Sequence, residues 1–232
     1  MSQMLQIHTQ LRDMILSLDI GPGERLTERW LESRFHGSRT PVRAALVRLE
    51  AEGLVQRDGR NWMVAPIDLG EIAALAEFRE PLEITAVRLA SDRAGENDLD
   101  AIEEMLNACR PDVPREEWHK VGTDFHVEIA RLSGNPFLVR AIEGVMTRLS
   151  RPRWLEVWTE PSREQAWAEH RRILACIRAK RPEDAAREAA DHVRDTRDRL
   201  LRSLNDDRRG LRARGFAIVG GADPLLSRHG RA

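Results

Sequence analysis

Lysine is nearly absent from this chain. Only Lys120 and Lys180 occur among 37 basic residues, so 35 of them are arginine. Coding bias is the plain reading of that excess. A guanidinium fork nevertheless matches phosphate and carboxylate better than an ammonium does, so some of these arginines are candidates for anion contacts. Long apolar runs are missing too. No uncharged stretch reaches the roughly 18 residues that span a bilayer, which argues against a membrane partner. Arg12 and Asp13 interrupt the segment where a signal peptide would be apolar, which points to a cytoplasmic location. The two cysteines, Cys109 and Cys176, fit no CxxC pattern and read as reduced structural thiols. No internal repeat is evident. What is present is a hydrophobic fraction of 41%, enough to bury a core and to argue against global disorder. A length of 232 residues suits one large domain or two small ones.

The formal net charge of -1 hides a local pattern. Residues 1–67 hold nine basic and eight acidic groups, residues 68–205 hold 22 and 27, and residues 206–232 hold six and three. The first segment is not basic overall. From Ser33 to Leu49, however, it carries Arg34, Arg39, Arg43 and Arg48 and no acid. Nucleic-acid binding needs a basic face rather than a basic domain.

In that first segment, Ile7, Leu11, Met14, Ile15 and Leu18 recur at helical spacing. Gly21-Pro22-Gly23 stops the helix. Thr27 is a candidate cap for a short second helix that carries Trp30 and Leu31 inward, and His36-Gly37 ends it. Ser38-Arg39-Thr40-Pro41-Val42-Arg43 then opens a third helix. Proline suits its first turn, and Thr40 is a candidate cap. Val42, Ala45, Leu46 and Leu49 form its inner stripe. Arg39 and Arg43 can both point outward from its N-terminal end. Leu54-Val55-Gln56 and Trp62-Met63-Val64 read as a β-hairpin around Asp58-Gly59-Arg60-Asn61, a wing that would set Arg60 near a minor groove. Two helices and a tight turn, with hydroxyls and arginines opening the second, make a helix-turn-helix. Its second helix would meet base edges of double-stranded operator DNA.

PGERL, SRTPVRAAL and RLEAEGLV, followed by a wing, resemble the winged helix of the GntR family of bacterial transcription regulators. The resemblance implies DNA contacts at Arg29, Ser38, Arg39, Thr40, Arg43 and Arg60. The chain departs from the family pattern at three places: His36-Gly37 before the serine, Ala44 after the arginine of PVR, and Asn61 as the second wing glycine.

From Asp68 the chain reads as all helix. Asp68 and Glu71 form a capping box, and Pro81 is expected to kink a long helix through Ile72, Leu75, Leu82 and Leu89. Further helices are predicted near 97–109, 116–133, 136–155, 162–179 and 182–204, giving an antiparallel bundle. The fold class is therefore mainly α. A winged helix-turn-helix covers 1–67, an all-α bundle covers 68–205, and 206–232 reads as a disordered tail. His126, His170 and His192 each sit on an apolar helical stripe. Inward histidines from facing helices can build a metal site, although spacing alone does not make them converge.

Asp124-Phe125-His126, Ser133-Gly134-Asn135-Pro136, Glu169-His170 and the alanine-rich run into His192 are similar to the FCD domain of one GntR subgroup. Arg79-xxx-Glu83 resembles its first helix. The resemblance implies a divalent metal (zinc, nickel or similar) on His126, His170 and His192, beside a small carboxylate effector. It also implies a homodimer in which effector binding relieves repression. The family's aspartate, four residues before the first histidine, is Gly122 here. Asp124 is only two residues back, about 200° around the helix, and should point away. An anionic effector would then complete the metal's shell. Arg79 and Arg148 are the candidate effector residues, with an Arg79–Glu83 ion pair as the alternative for the first. Trp154 and Trp158 are a further candidate pocket pair. A constitutive DNA-binding regulator with a decayed effector site is the alternative that Gly122 keeps open. A metal-dependent enzyme is a remoter one. It lacks any acid/base residue in motif form beside the histidines, and it would not need SRTPVR.

Overall fold

In the computed structural model, which describes residues 2–109, 113–156 and 159–220, two compact units form. One combines the chain before Ile72 with the chain from Leu204 onward; the other runs Ile72–Ser203.

The first unit is a winged helix. Helix α1 (Gln3–Leu16) turns Ile7, Leu11 and Ile15 inward, as their spacing predicts. Helix α2 (Glu28–Phe35) is capped by Thr27, whose hydroxyl accepts from the Trp30 amide, and ends at His36 in the left-handed region. Helix α3 (Arg39–Ala51) buries Val42, Ala45, Leu46 and Leu49. Strands β1 (Arg25–Leu26), β2 (Val55–Asp58) and β3 (Asn61–Val64) form an antiparallel sheet in the order β1-β3-β2. Asp58 pairs with Asn61, and φ is +61° at Gly59 but not positive at Arg60. A two-residue turn that needs glycine only at its first central position matches the strands' twist, which explains why Asn61 is tolerated there.

Two local expectations change. Trp30 is 41% exposed rather than buried, because the inward position of this short helix goes to Leu31, one residue or about 100° further on. The cap of α3 is Ser38, not Thr40, which lies within the helix.

The expected disordered tail over 206–232 is corrected for its first part. Helix α10 (Arg208–Ala213) and strand β5 (Ile218–Val219) follow the last bundle helix. β5 pairs in parallel with β4 (Ile67–Asp68), and Leu211 and Ile218 are buried. The Ala217 amide donates to the Pro22 carbonyl at 2.8 Å, and the Ile67 amide donates to the Ala217 carbonyl at 3.0 Å. Gly23, with φ +87°, lets this segment approach: a Cβ there would lie 2.4 Å from the Ala217 methyl. Residues 221–232 lie outside the described ones.

The second unit is the expected helical bundle. Its helices are α4 (Leu69–Arg93), α5 (Glu96–Asn107), α6 (Arg115–Leu132), α7 (Pro136–Glu156), α8 (Glu160–Arg178) and α9 (Pro182–Asp206). Asp68 accepts from the Gly70 amide at the start of α4, which is continuous through Pro81. Phe125, Ile129, Ile142, Met146, Ile173 and Ile177 occupy the core.

Leu211 is one of two aliphatic side chains that α10 and β5 bury, with Ile218. Leu211→Ala should cost about 2–4 kcal/mol of local stability. The expected sign is faster amide exchange at Ile67 and in β3, with exchange in α6 unchanged. Equal exchange at Ile67 in both proteins would show the segment to be a passive appendage.

Candidate functional site

On the winged helix, the candidate DNA residues gather on one surface. Arg29, Arg39, Arg43 and Arg60 line a single cleft of about 320 Å³ with Glu28 and Asn61. The first is on α2, the next two on α3 and the last on the wing turn. All four are exposed, as are Ser38 and Thr40. Ser38 makes no side-chain cap bond, unlike Ser2 and Thr27. Its hydroxyl is therefore left at an N-terminal helix end, where backbone amides attract phosphate. Two acids escaped the sequence reading. Glu28 pairs with Arg39 at 2.9 Å and with Arg43 at 3.2 Å, and Glu32 approaches Arg39 at 3.7 Å. They lie one turn apart on α2, and that i, i+4 spacing beside the acid-free stretch from Ser33 to Leu49 was the available signal. A phosphate must compete with these carboxylates, which also hold the arginines aligned.

In the bundle, His126 from α6, His170 from α8 and His192 from α9 converge. Each offers one ring nitrogen within 4.8 Å of the others, and all three are buried. Buried carboxylates orient two of them. Glu169 Oε2 lies 2.7 Å from His192 Nδ1, and Glu83 Oε2 lies 3.1 Å from His126 Nδ1. An ionised carboxylate accepts only, so each Nδ1 carries the proton and each Nε2 keeps a lone pair. These two Nε2 atoms face each other at 3.3 Å. His170 Nε2 is buried with no hydrogen-bond partner, while its ring stacks on Phe125 at 4.2 Å. Two lone-pair nitrogens and the unpartnered His170 Nε2 thus meet in a buried place, a donor set that zinc or nickel takes, with carboxylates behind two of the imidazoles.

The electrostatics agree. Burial pushes all three imidazoles below their usual range, so they are neutral at neutral pH. Burial raises Glu83, but Arg79 and His126 outweigh it and hold the carboxyl well below the usual range. Burial also raises Glu169; hydrogen bonds from His192 and Arg199 overcome that and bring it down to about 2.

Arg79 reaches the cluster, but its guanidinium is engaged. It forms a buried ion pair with Glu83 and donates to His126 Nε2 at 2.8 Å. The ion pair weighed for it in the sequence is present. Arg148 is exposed on α7, off the stripe of Val145, Met146 and Leu149 that faces the core, and is not among the residues lining the cavity beside the histidines. The α7 arginine at the cluster is Arg153, which is 5% exposed and four residues past Leu149 on that stripe. Its place after an apolar i, i+4 run was the signal. Asp124 is not among the converging groups, as its angle on α6 requires. Trp154 packs edge-on against His119; its proposed companion Trp158 lies outside the described residues.

Comparison with known proteins agrees with both units. Residues 3–62 match the family described as bacterial regulatory proteins, gntR family, and residues 74–195 match the FCD domain. An uncharacterized HTH-type transcriptional regulator of Bacillus subtilis, YdhC, is 30% identical over 87% of this chain and 92% of its own. The Nta operon transcriptional regulator of Aminobacter aminovorans is 28% identical over 81% of this chain and 90% of its own. In fold, the chain resembles E. coli McbR/YncC with a TM-score of 0.72 at 23% identity, covering 88% of this chain and all of that one. A Rhodococcus GntR regulator is similar at 0.69 and 21%, covering 87% and 98%. No helix among the described residues is long and apolar enough to cross a membrane. With a winged helix-turn-helix head, a helical FCD-type unit and relatives that are transcription regulators rather than enzymes, the chain belongs to the gntR family of bacterial regulatory proteins, in the branch that carries an FCD domain.

Proposed function

We propose that this protein is a ligand-responsive repressor that acts in the cytoplasm. In this reading a homodimer sets two winged helices on the half-sites of a palindromic operator. Arg39 and Arg43 read bases at the start of α3. Arg29, Ser38, Thr40 and Arg60 hold phosphates and groove edges. The FCD-type bundle binds a small carboxylate, and coupling requires that this ligand prefer one arrangement of the heads over another.

The observation that supports sensing is the meeting of three buried histidine nitrogens in the bundle. His170 Nε2 has no hydrogen-bond partner, and burying a polar atom unpartnered is costly unless a ligand satisfies it. His126, His170 and His192 would hold a divalent metal through Nε2. Glu83 and Glu169 keep Nε2 of His126 and of His192 deprotonated and aimed. Arg79 keeps Glu83 ionised and would release His126 Nε2 to the metal. When bound, the metal supplies an electrophilic anchor for one oxygen of the carboxylate.

Protein purified without chelator should carry close to one zinc or nickel per chain by mass spectrometry. His170→Ala should reduce that content several-fold. Equal content in both proteins would sink the metal reading. A thermal-shift screen of small carboxylates, run with and without zinc, separates a sensor from a regulator whose sensing has decayed. A stabilised melt with at least one acid is expected, and a flat response throughout would favour decay.

On DNA, Arg39→Lys and Arg43→Lys keep charge but lose the bidentate fork. Each should weaken binding to an operator selected from a random library by about 1–3 kcal/mol, read by fluorescence anisotropy. Arg60→Ala should instead weaken all sequences alike and lower the salt dependence by about one ion. Operator binding by either lysine variant as tight as the parent's would exclude base reading by that arginine.

A further inference from the structure

Val47 is the one large apolar side chain that α3 leaves in the open, at 52% exposure. A single exposed valine is ordinary on a protein surface, so its position is what singles it out. The buried stripe of Val42, Ala45, Leu46 and Leu49 lies on the far side of the helix, centred about 150° away. Thr40 is only about 20° from Val47 around the axis, and Arg43 about 40°. Val47 therefore continues the outward face that Arg39, Thr40 and Arg43 open, one turn or about 6 Å beyond Arg43. Ala44, three residues before it and also exposed, adds nothing longer than a methyl. The next arginine, Arg48, is about 100° further round the helix and pairs with Glu52 at 3.5 Å.

The outward face thus changes character along its length. Its first turn offers guanidinium donors and a hydroxyl, and its second offers hydrocarbon. Base edges in the major groove present donors and acceptors, and thymine adds an apolar group, its C5-methyl. A donor or acceptor pressed against Val47 would lose its water with nothing to replace it. A thymine methyl in the same place removes apolar surface from water on both partners. The β-branched side chain also holds one preferred χ1 in a helix, so its two methyls lose little freedom on contact.

We propose that Val47 is a specificity-determining residue of the DNA interface, selecting a thymine in each half-site through its C5-methyl group, beside the bases that Arg43 reads. This rests on the base-reading role of α3 proposed above. The arginines then choose bases by hydrogen bonds, and Val47 chooses one by the absence of any.

The test uses the full chain and an operator that the parent selects from a random library. Each thymine is replaced in turn by deoxyuridine, which removes the methyl and keeps every hydrogen-bonding group. Binding is read by fluorescence anisotropy. For the parent, uracil at one position of a half-site should weaken binding about fourfold, the worth of one buried methyl-sized group. In Val47→Ala the same replacement should cost less than about 1.5-fold, because the partner of that methyl is gone. In Arg39→Lys the parent's uracil penalty should persist, so the comparison isolates the contact between Val47 and the methyl. Val47→Ala trims an exposed side chain, and its melting curve should match the parent's. A selected operator without thymine, or equal binding of every uracil operator by the parent, would overturn the proposal and leave base reading by the arginines intact. So would a full uracil penalty in Val47→Ala. A parent that selects no sequence from the library would overturn base reading by α3 itself, and this proposal with it.

Discussion

Glu83 and Glu169 fix which nitrogen of their histidines carries the proton, and the chemistry of the bundle follows from that choice. A carboxylate 3.1 Å from His126 Nδ1 and another 2.7 Å from His192 Nδ1 turn both Nε2 lone pairs toward the same point. The carboxylates can do this only while ionised, which in a buried place requires cations. Arg79 and Arg199 supply them. The cluster is thus one connected unit from α4, α6, α8 and α9. Losing any one arginine would leave a buried carboxylate unmatched, a far larger cost than the loss of a surface pair.

The winged helix uses charge in the opposite spirit. The arginines of its cleft are exposed and their ion pairs exchangeable. Glu28 holds Arg39 and Arg43 by contacts of 2.9 and 3.2 Å at side chains that are more than half exposed, so water and salt already weaken them. Phosphates can replace Glu28 with small loss, whereas a ligand that disturbs Glu83 must break a buried network. One chain therefore holds two kinds of arginine: a loosely committed set that can be handed to DNA, and a tightly committed set that shapes a cavity.

Much of this was legible in the sequence. The inner stripe of α3, the wing, the six bundle helices and the inward faces of the three histidines each follow from local spacing, which fixes the face a residue occupies. What spacing cannot fix is how neighbouring helices are rotated against each other, so the meeting of the histidines needed coordinates. Arg153 was missed for a related reason. A charged residue in register with Val145, Met146 and Leu149 contradicts the apolar pattern, so only burial distinguishes Arg153 from the exposed Arg148. Trp30 was misplaced because a helix of eight residues has room for few inward positions, and Leu31 takes the deepest. The C-terminal segment escaped because a six-residue helix and a two-residue strand are too short to show a period.

That segment has a consequence for the order in which the protein is made. The DNA-reading unit is encoded first but includes residues from Leu204 onward. Its β4 edge, the Pro22 carbonyl and the approach at Gly23 meet their partners only after Ala217 to Val219 have left the ribosome. Until then the head lacks part of its packing, and the bundle has already been synthesised. A chain broken off before Ile218 would carry all four arginines of the cleft yet lack the last described strand of the unit that presents them.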